Sequence, residues 1–473
     1  MKKIIITLLA ILLTSNCFAQ WRTEVQLTND PGSSLSTLNS VAASGNSVYA
    51  VWSDNRDANT EIYFKRSTNS GQTWGLDTRL TNSSGFSLYP SIAVSGLSVN
   101  IVWYDNRDGD YEIYYKRSTD GGTTWGADTR LTVSSGISQD PAINVSGSFV
   151  NVVWQDSRSG SFEIFYKRST DGGISWGIDM PLSNTGGPGA FSPSVSSSGN
   201  VVISSWQDNR SSSTGEIYYK RSTDSGLTFG ADTRLTNDPG VSTYCTISMI
   251  GSIAHLIWLD NRTGQSEIFY NRSSNSGLTW GTDTRLTTNG FTSSNPSISL
   301  NNANVHVVYH GNGGIYYKRS TDFGLTWGGE QRLSDLLSFA RDAAVAVSGS
   351  AVHVIWHDAR NSNEDIYYAR NPLGNPTNIT NISGTASKFY LYQNYPNPFN
   401  PETKIKFDLR KSSLTIIKIY NSIGQEIQTL VNKQLQPGSY EVEWNASNFP
   451  SGIYFYKLIS GEFIETKKMF LVK

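Results

Sequence analysis

The sequence predicts an all-β chain: a seven-bladed β-propeller closed by its own N-terminal strand, followed by a small β-sandwich of immunoglobulin-like size. Three observations carry that expectation. The phrase Ser118-Thr-Asp120-Gly-Gly122-Thr-Thr-Trp125 recurs with small changes from Ser67, Ser118, Ser169, Ser222, Ser273 and Ser320, a period of about 51 residues. That period fits a four-stranded blade rather than a helical repeat. Around each copy lie short runs rich in β-branched and aromatic residues, parted by Gly, Ser, Asn or Asp. Residues 21–28, Trp-Arg-Thr-Glu-Val-Gln-Leu-Thr, match the closing piece of a repeat, Trp-Gly-Leu-Asp-Thr-Arg-Leu-Thr at 74–81.

The chain of 473 residues opens with Met1-Lys2-Lys3, an apolar run from Ile4 to Leu13 and a small-residue end at Ala19, the pattern of a secretory signal peptide over residues 1–19. The run is too short to span a membrane, and no later segment is long enough to be a span. Cys17 lacks the small preceding residue that lipidation requires, and its removal leaves Cys245 alone, so no intrachain disulfide is expected. Lys and Arg number 38 against 39 Asp and Glu, which gives no basic excess for a nucleic acid backbone. The 13 Trp fall mostly at repeating positions and point to packing.

One repeat reads as four strands, a to d: residues 89–94, 99–105, 112–118 and 125–132. Apolar residues sit on both faces, as at Val102 and Trp103, which suits sheets held between neighbours. Seven a-b-c triplets occur, the last ending with Asp365-Ile-Tyr-Tyr368, but only six are followed by a d strand. Residues 21–28 are expected to supply the seventh and close the ring, within a propeller at 20–371. Residues 372–387, with Pro372, Gly374 and Pro376, read as a linker. Residues 388–473 follow, with alternating strands at 404–409, 414–420, 440–444 and 452–458.

The repeated phrase resembles the Asp box of the bacterial neuraminidase repeat, across residues 21–371. Its expected work is local: the acid accepts backbone N–H groups in the c-d turn, glycine permits the path, and the aromatic packs between blades. The box pairs are Asn69 and Trp74, Asp120 and Trp125, Asp171 and Trp176, Asp224 and Phe229, Asn275 and Trp280, and Asp322 and Trp327. Asparagine can still accept that bond, so the variants point to a turn lock rather than to catalysis. In sialidases the resemblance implies six blades, three arginines on the sugar carboxylate, a Tyr nucleophile and a Phe/Tyr-Arg-Ile-Pro motif. That motif is absent here, and catalytic residues are not carried over by position.

A second repeat is the b-c junction, Trp52-Ser-Asp54-Asn-Arg56 and its copies ending at Arg107, Arg158, Arg210, Arg262 and Arg360. It is either an anion or sugar platform on the face opposite the boxes, or a device by which each Asp pins its own loop. Departures from repetition are the sharper site candidates. The sixth repeat replaces the junction with Tyr309-His310-Gly-Asn-Gly-Gly314, which is expected to open a gap in the ring, with His310 a ligand contact or a turn residue. At the mouth of strand a the aligned residues are Leu38, Tyr89, Asp140, Ser192, Tyr244, Asn295 and Asp342. Tyr89, Asp140, Tyr244 and Asp342, with Arg341 beside the last, are expected to form a polar aromatic pocket suited to a glycan. Phe86, Phe191, Phe291 and Phe339 add stacking surface or cap apolar ends. Asp108-Gly-Asp110 lacks the spacing of a calcium loop, and no metal or cofactor is expected.

The C-terminal segment resembles the type A sorting domain of the type IX secretion system of Bacteroidota. The carrying residues are Tyr395-Pro-Asn-Pro-Phe-Asn-Pro401, Ile419-Tyr-Asn-Ser-Ile-Gly424, Gly438-Ser-Tyr-Glu-Val-Glu-Trp444, Ser451-Gly-Ile-Tyr-Phe-Tyr456 and Lys467-Lys468. The resemblance implies the secretion machinery as a partner through residues 388–473, and release or attachment at the outer surface of a Gram-negative cell. The resulting expectation is a non-catalytic propeller that binds a glycan or surface protein through its loop face. The alternatives are a sialidase-like exo-glycoside hydrolase using Asp140 or Asp342 with Tyr89 or Tyr244, and a structural surface component.

Overall fold

The computed structural model describes residues 21–472, apart from 211–214, 337, 373–378, 384–385 and 447–448. The expected signal peptide, residues 1–19, lies outside the described residues. Among the described residues the strands form nine antiparallel sheets, seven within residues 21–371 and two beyond.

The second repeat shows the plan. Strand a (Ser87–Ser95) turns at Gly96, where φ is +59°, into strand b (Ser98–Asp105). Strand b pairs with c (Glu112–Ser118), and c with the short d (Thr129–Arg130). Alternation along b sends Val99, Ile101 and Trp103 toward the first sheet and Val102 and Tyr104 toward the third, all buried. Burying each such side chain contributes about 1.5–3 kcal/mol, so a sheet stripped of one neighbour loses much of what holds it. The same packing runs from sheet to sheet, and Val48, Ala50 and Trp52 of the first sheet pack against Ile355, Ile366 and Tyr368 of the last.

The N-terminal strand Val25–Gln26 pairs with Asp365–Asn371, Val25 opposite Tyr368, and occupies the d position of that last sheet. Thr28 Oγ1 donates to Asp365 Oδ1 at 2.9 Å, and Glu24 pairs with Arg360. Trp21 stands edge-on to Tyr317, ring centroids 4.9 Å apart.

The box phrases are the c-d turns. Asp120 Oδ1 accepts the N–H groups of Thr123 and Thr124, each at 2.9 Å, and the Ser118 hydroxyl at 2.8 Å. Asn69 Oδ1 accepts the Thr73 N–H at 2.9 Å, and its amide donates to Thr73 Oγ1 where Asp120 accepts from Thr124 Oγ1. The box aromatic then meets strand c of the preceding sheet edge-on: Trp125 on Phe64, Trp176 on Tyr115, Phe229 on Tyr166.

Beyond residue 371, two four-stranded sheets enclose a core around Ile405, Phe407, Ile419, Trp444, Tyr456 and Leu458. The stretch expected as a linker is corrected in part, because Ile379–Ser383 is a strand that places Asn381 opposite Tyr440. Residues 373–378 and 384–385 of that stretch lie outside the described residues.

Two predictions follow from this packing. Deleting residues 21–28 removes Trp21, Leu27 and the strand-d pairing, and is expected to lower the melting temperature by on the order of 10 °C or more; a calorimetric melt equal to that of the full chain would show the strand to be dispensable. His255 and His353 are buried, each Nδ1 2.8 Å from a tyrosine hydroxyl, Tyr270 and Tyr368. Desolvation, aided by Arg272 and Arg370, pushes both imidazoles down to about 3. The unfolded chain takes up these protons near pH 6.5, so their stabilisation is full above that and is lost as pH falls toward 3, by about 1.4 kcal/mol per unit for each histidine. Asn100 and Asn151 bond Tyr115 and Tyr166 at the same place in other repeats. The double variant His255→Asn, His353→Asn should therefore flatten the acid side of the melting profile, and an unchanged slope would assign the loss elsewhere.

Candidate functional site

The junction arginines are already engaged. Asp54, Asp105, Asp156, Asp208, Asp260 and Asp358 are fully buried. Asp156 accepts the Trp154 indole N–H at 2.9 Å, the Ser138 hydroxyl at 2.8 Å, the Arg158 backbone N–H at 2.9 Å, and two guanidinium donors at 2.8 and 2.6 Å. Desolvation works against its ionised form, yet the Arg158 fork with the indole and hydroxyl donors holds it below the usual carboxylate range. Arg158 Nη1 reaches Asp179 at 2.8 Å, and the guanidinium lies 4.4 Å over the Phe165 ring. The copies do the same, down to Arg360 between Asp358 and Glu24 over Tyr367. The repeated motif thus pins each loop, and its cationic donors are bound to the chain's own carboxylates.

The mouth of strand a is built differently. In six sheets the a-b register slips, as between Gln139 and Ala142. Tyr89, Asp140, Ser192, Tyr244, Asn295 and Asp342 sit in those slips with φ between +46° and +51°. A bulge in the left-handed region costs energy for residues with a Cβ, and bulges re-aim side chains. In the first sheet residues 36–40 separate Ser34–Leu35 from Val41–Ser44, and Leu38 falls at the same place. All seven mouth residues line one cavity of about 610 Å³.

Its walls are aromatic and amide. Tyr89, half exposed, stacks on Tyr104 at 5.5 Å and 17°, and Tyr104 meets Tyr111 edge-on at 5.0 Å. Asn295 Nδ2 donates to Asp342 Oδ1, and Ser36 Oγ donates to the Asp342 carbonyl at 3.0 Å while lying 3.1 Å from His357 Nδ1. Asp140 differs: among the described residues its carboxylate has no hydrogen-bond partner, and desolvation pushes its pKa up to about 6. Desolvation first, then Asp140, Asp342 and Tyr244, raises Tyr89.

Tyr89, Asp140, Tyr244 and Asp342 therefore share one cavity, while two other candidates do not line it. His310 is in neither a turn nor the cavity wall; it lies in strand b (Asn304–Gly311), Nδ1 3.1 Å from Ser294 Oγ. The turn is Asn312-Gly313, both at positive φ, a two-residue hairpin of the Asn-Gly kind. Arg341 is exposed and pairs across from His357. The gap expected in the sixth repeat is occupied: Phe291 packs on Tyr316 at 5.2 Å, and Arg332 fills the space a Cβ at Gly314 would need. Of the loop aromatics, Phe191 lines the cavity, while Phe86 and Phe339 are exposed. Asp108 pairs with Arg130 and with the Tyr114 hydroxyl.

Sequence reasoning missed Tyr104, Gln155 and Gln207, which also line the cavity. Their signal was present in the variable residue of the Trp-x-Asp phrase, which runs Ser53, Tyr104, Gln155, Gln207, Leu259 and His357 between fixed flanks.

The BNR repeat-like domain family model matches residues 47–307, and the secretion system C-terminal sorting domain matches residues 393–473. Among solved structures, the polysaccharide lyase Uly1 is 10% identical, with 75% of this chain and 99% of that one covered at a TM-score of 0.53. A PL25 ulvan lyase is 10% identical, with 73% and 95% covered at a TM-score of 0.50. A mutant of Trypanosoma rangeli sialidase displaying trans-sialidase activity is 11% identical, with 94% and 88% covered at a TM-score of 0.44. No curated protein matches the chain. At these identities the likeness is one of fold. The expectation of a non-catalytic binder is nonetheless corrected, because Uly1 and the PL25 ulvan lyase, whose fold this chain shares, are polysaccharide lyases.

Replacing Arg158 with Ala strips a buried carboxylate of its partner, and is expected to cost about 3–5 kcal/mol in a denaturant titration. A midpoint within error of the parent protein would mean that the fork is free to serve a ligand.

Proposed function

The chain belongs to the BNR repeat-like domain family, and from that membership we propose that residues 20–371 form a glycoside-cleaving enzyme whose active mouth is the cavity between the strand-a bulges. The sorting domain marks the chain for type IX secretion and for the outer surface of a Gram-negative bacterium. No helix among the described residues is long and apolar enough to cross a membrane. We take the ring to be seven blades closed by residues 21–28, with residues 388–473 as the sorting domain. Seven sheets, the Val25–Gln26 pairing and the packing of Trp52 on Ile355 support that ring.

The observation that carries the activity is Asp140, a partnerless carboxylate desolvated within a strained bulge, in one cavity with a second carboxylate. Two acids in unlike surroundings divide the roles of acid-base cleavage. Asp140 is the general acid: it gives its proton to the leaving glycosidic oxygen as the bond to the anomeric carbon breaks, and its carboxylate then takes a proton from the water that adds to that carbon, restoring the acid. Asp342, fixed by Asn295, faces the positive charge that develops there. Tyr89, stacked on Tyr104, offers a ring face on which a sugar can lie, and Tyr244 shares the cavity.

The polysaccharide lyase fold of the structural relatives supports a glycan as substrate. An acid of pKa about 6 must hold its proton to act, so kcat/KM should fall as pH rises through about 6. Asp140→Asn should lower kcat/KM by about 10²–10⁴-fold with the fold intact. A panel of fluorogenic glycosides and reducing-end assays on polysaccharides provides the measurement. Full turnover in both Asp140→Asn and Asp342→Asn would place the chemistry elsewhere.

A further inference from the structure

The charge of the cavity speaks to its substrate. Two carboxylates, Asp140 and Asp342, line it, and no Lys or Arg does. The undescribed residues within 21–371 are serine, threonine and leucine, so none of them supplies a cation. The junction guanidinium groups are bound to buried aspartates and to the acids of strand d. Lys65, Lys116 and Lys167 are likewise paired with Asp77, Asp128 and Asp179. Arg341 is exposed and does not line the cavity.

What remains to meet a ligand is uncharged: the amides of Gln139, Gln155 and Gln207 and the rings of Tyr89 and Tyr244. Amides can exchange hydrogen bonds with sugar hydroxyls, and ring faces take the apolar face of a pyranose. Neither neutralises a carboxylate or sulfate, and an anion brought beside Asp342 without a counter-charge is repelled in a site of lowered dielectric.

We propose that the cavity selects uncharged or amino-bearing saccharide residues and rejects carboxylated and sulfated ones. The inference rests on the cavity being the glycan site. It separates this chain's substrate from any whose recognition depends on an arginine clamp, and it gives Asp342 a selective role besides its chemical one: its carboxylate attracts an ammonium group and excludes an anion.

Calorimetric titration of the full chain tests it on matched probes: an oligogalacturonide and its methyl ester, a sulfated galactan oligomer and its desulfated form, and a chitosan oligomer. The uncharged member of at least one pair, or the chitosan oligomer, should bind. Each uncharged member that binds should do so at least about tenfold more tightly than its anionic counterpart. Asp342→Asn should narrow that ratio, whereas a preference set by shape alone would leave it unmoved and would overturn the electrostatic account. Equal or tighter binding of the anionic members, or binding of none of the uncharged and amino probes, would also overturn it. Because binding is read without turnover, selective binding with no cleavage would retain the selectivity and refute the proposed hydrolysis. Cleavage of an anionic member would do the reverse.

Discussion

A sheet that is apolar on both faces has no stable free surface, and this constraint organises residues 21–371. Trp103 packs toward one neighbouring sheet and Tyr104 toward the other, so neither side of the second sheet can face water without exposing buried aromatic area. Each sheet therefore needs two neighbours, and a linear array would leave two sheets unsatisfied. Packing of Trp52 against Ile355 and Tyr368, together with strand 25–26 on Tyr367 and Tyr368, meets that need at the ends. The box aromatics add an edge-on contact at each seam, and Trp21 makes it from the N-terminal piece.

The same constraint explains how the chain uses charge. Carboxylates buried at the b-c junction survive because each is met by the guanidinium and the backbone N–H of its arginine, joined at Asp156 by an indole and a hydroxyl. Those arginines are consequently occupied, though they look on paper like a ring of anion receptors. The proposed site lies where repetition stops, at the strand-a bulges, where shared backbone geometry brings one variable residue from each of six sheets to a single cavity. The scaffold supplies identical positions, and the sequence varies what stands at them.

That division also accounts for the correction to the non-catalytic expectation. Near-identical repeats argue for a scaffold, but they say nothing against an asymmetric centre held by seven variable positions. Asp140 has no partner while Asp342 is held by Asn295, although both occupy equivalent bulges. Equivalent backbone with unlike surroundings is how two carboxylates come to have different roles.

The repeat period, the strand order, the N-terminal match to strand d and the convergence of Tyr89, Asp140, Tyr244 and Asp342 were legible in the sequence, because strand alternation and turn chemistry are local and the repeats index one another. Tertiary structure decided what depends on the third dimension. It showed Arg158 to be spent on Asp156 and Asp179, placed His310 in a strand with the turn beyond it, filled the sixth junction with Phe291 and Arg332, and brought Tyr104, Gln155 and Gln207 to the cavity wall. Sequence by itself determined which positions are equivalent and which differ. Only the folded chain decided which charges are neutralised and which are left facing the cavity, since ion pairing depends on distances of a few ångströms between residues that strand order alone does not set.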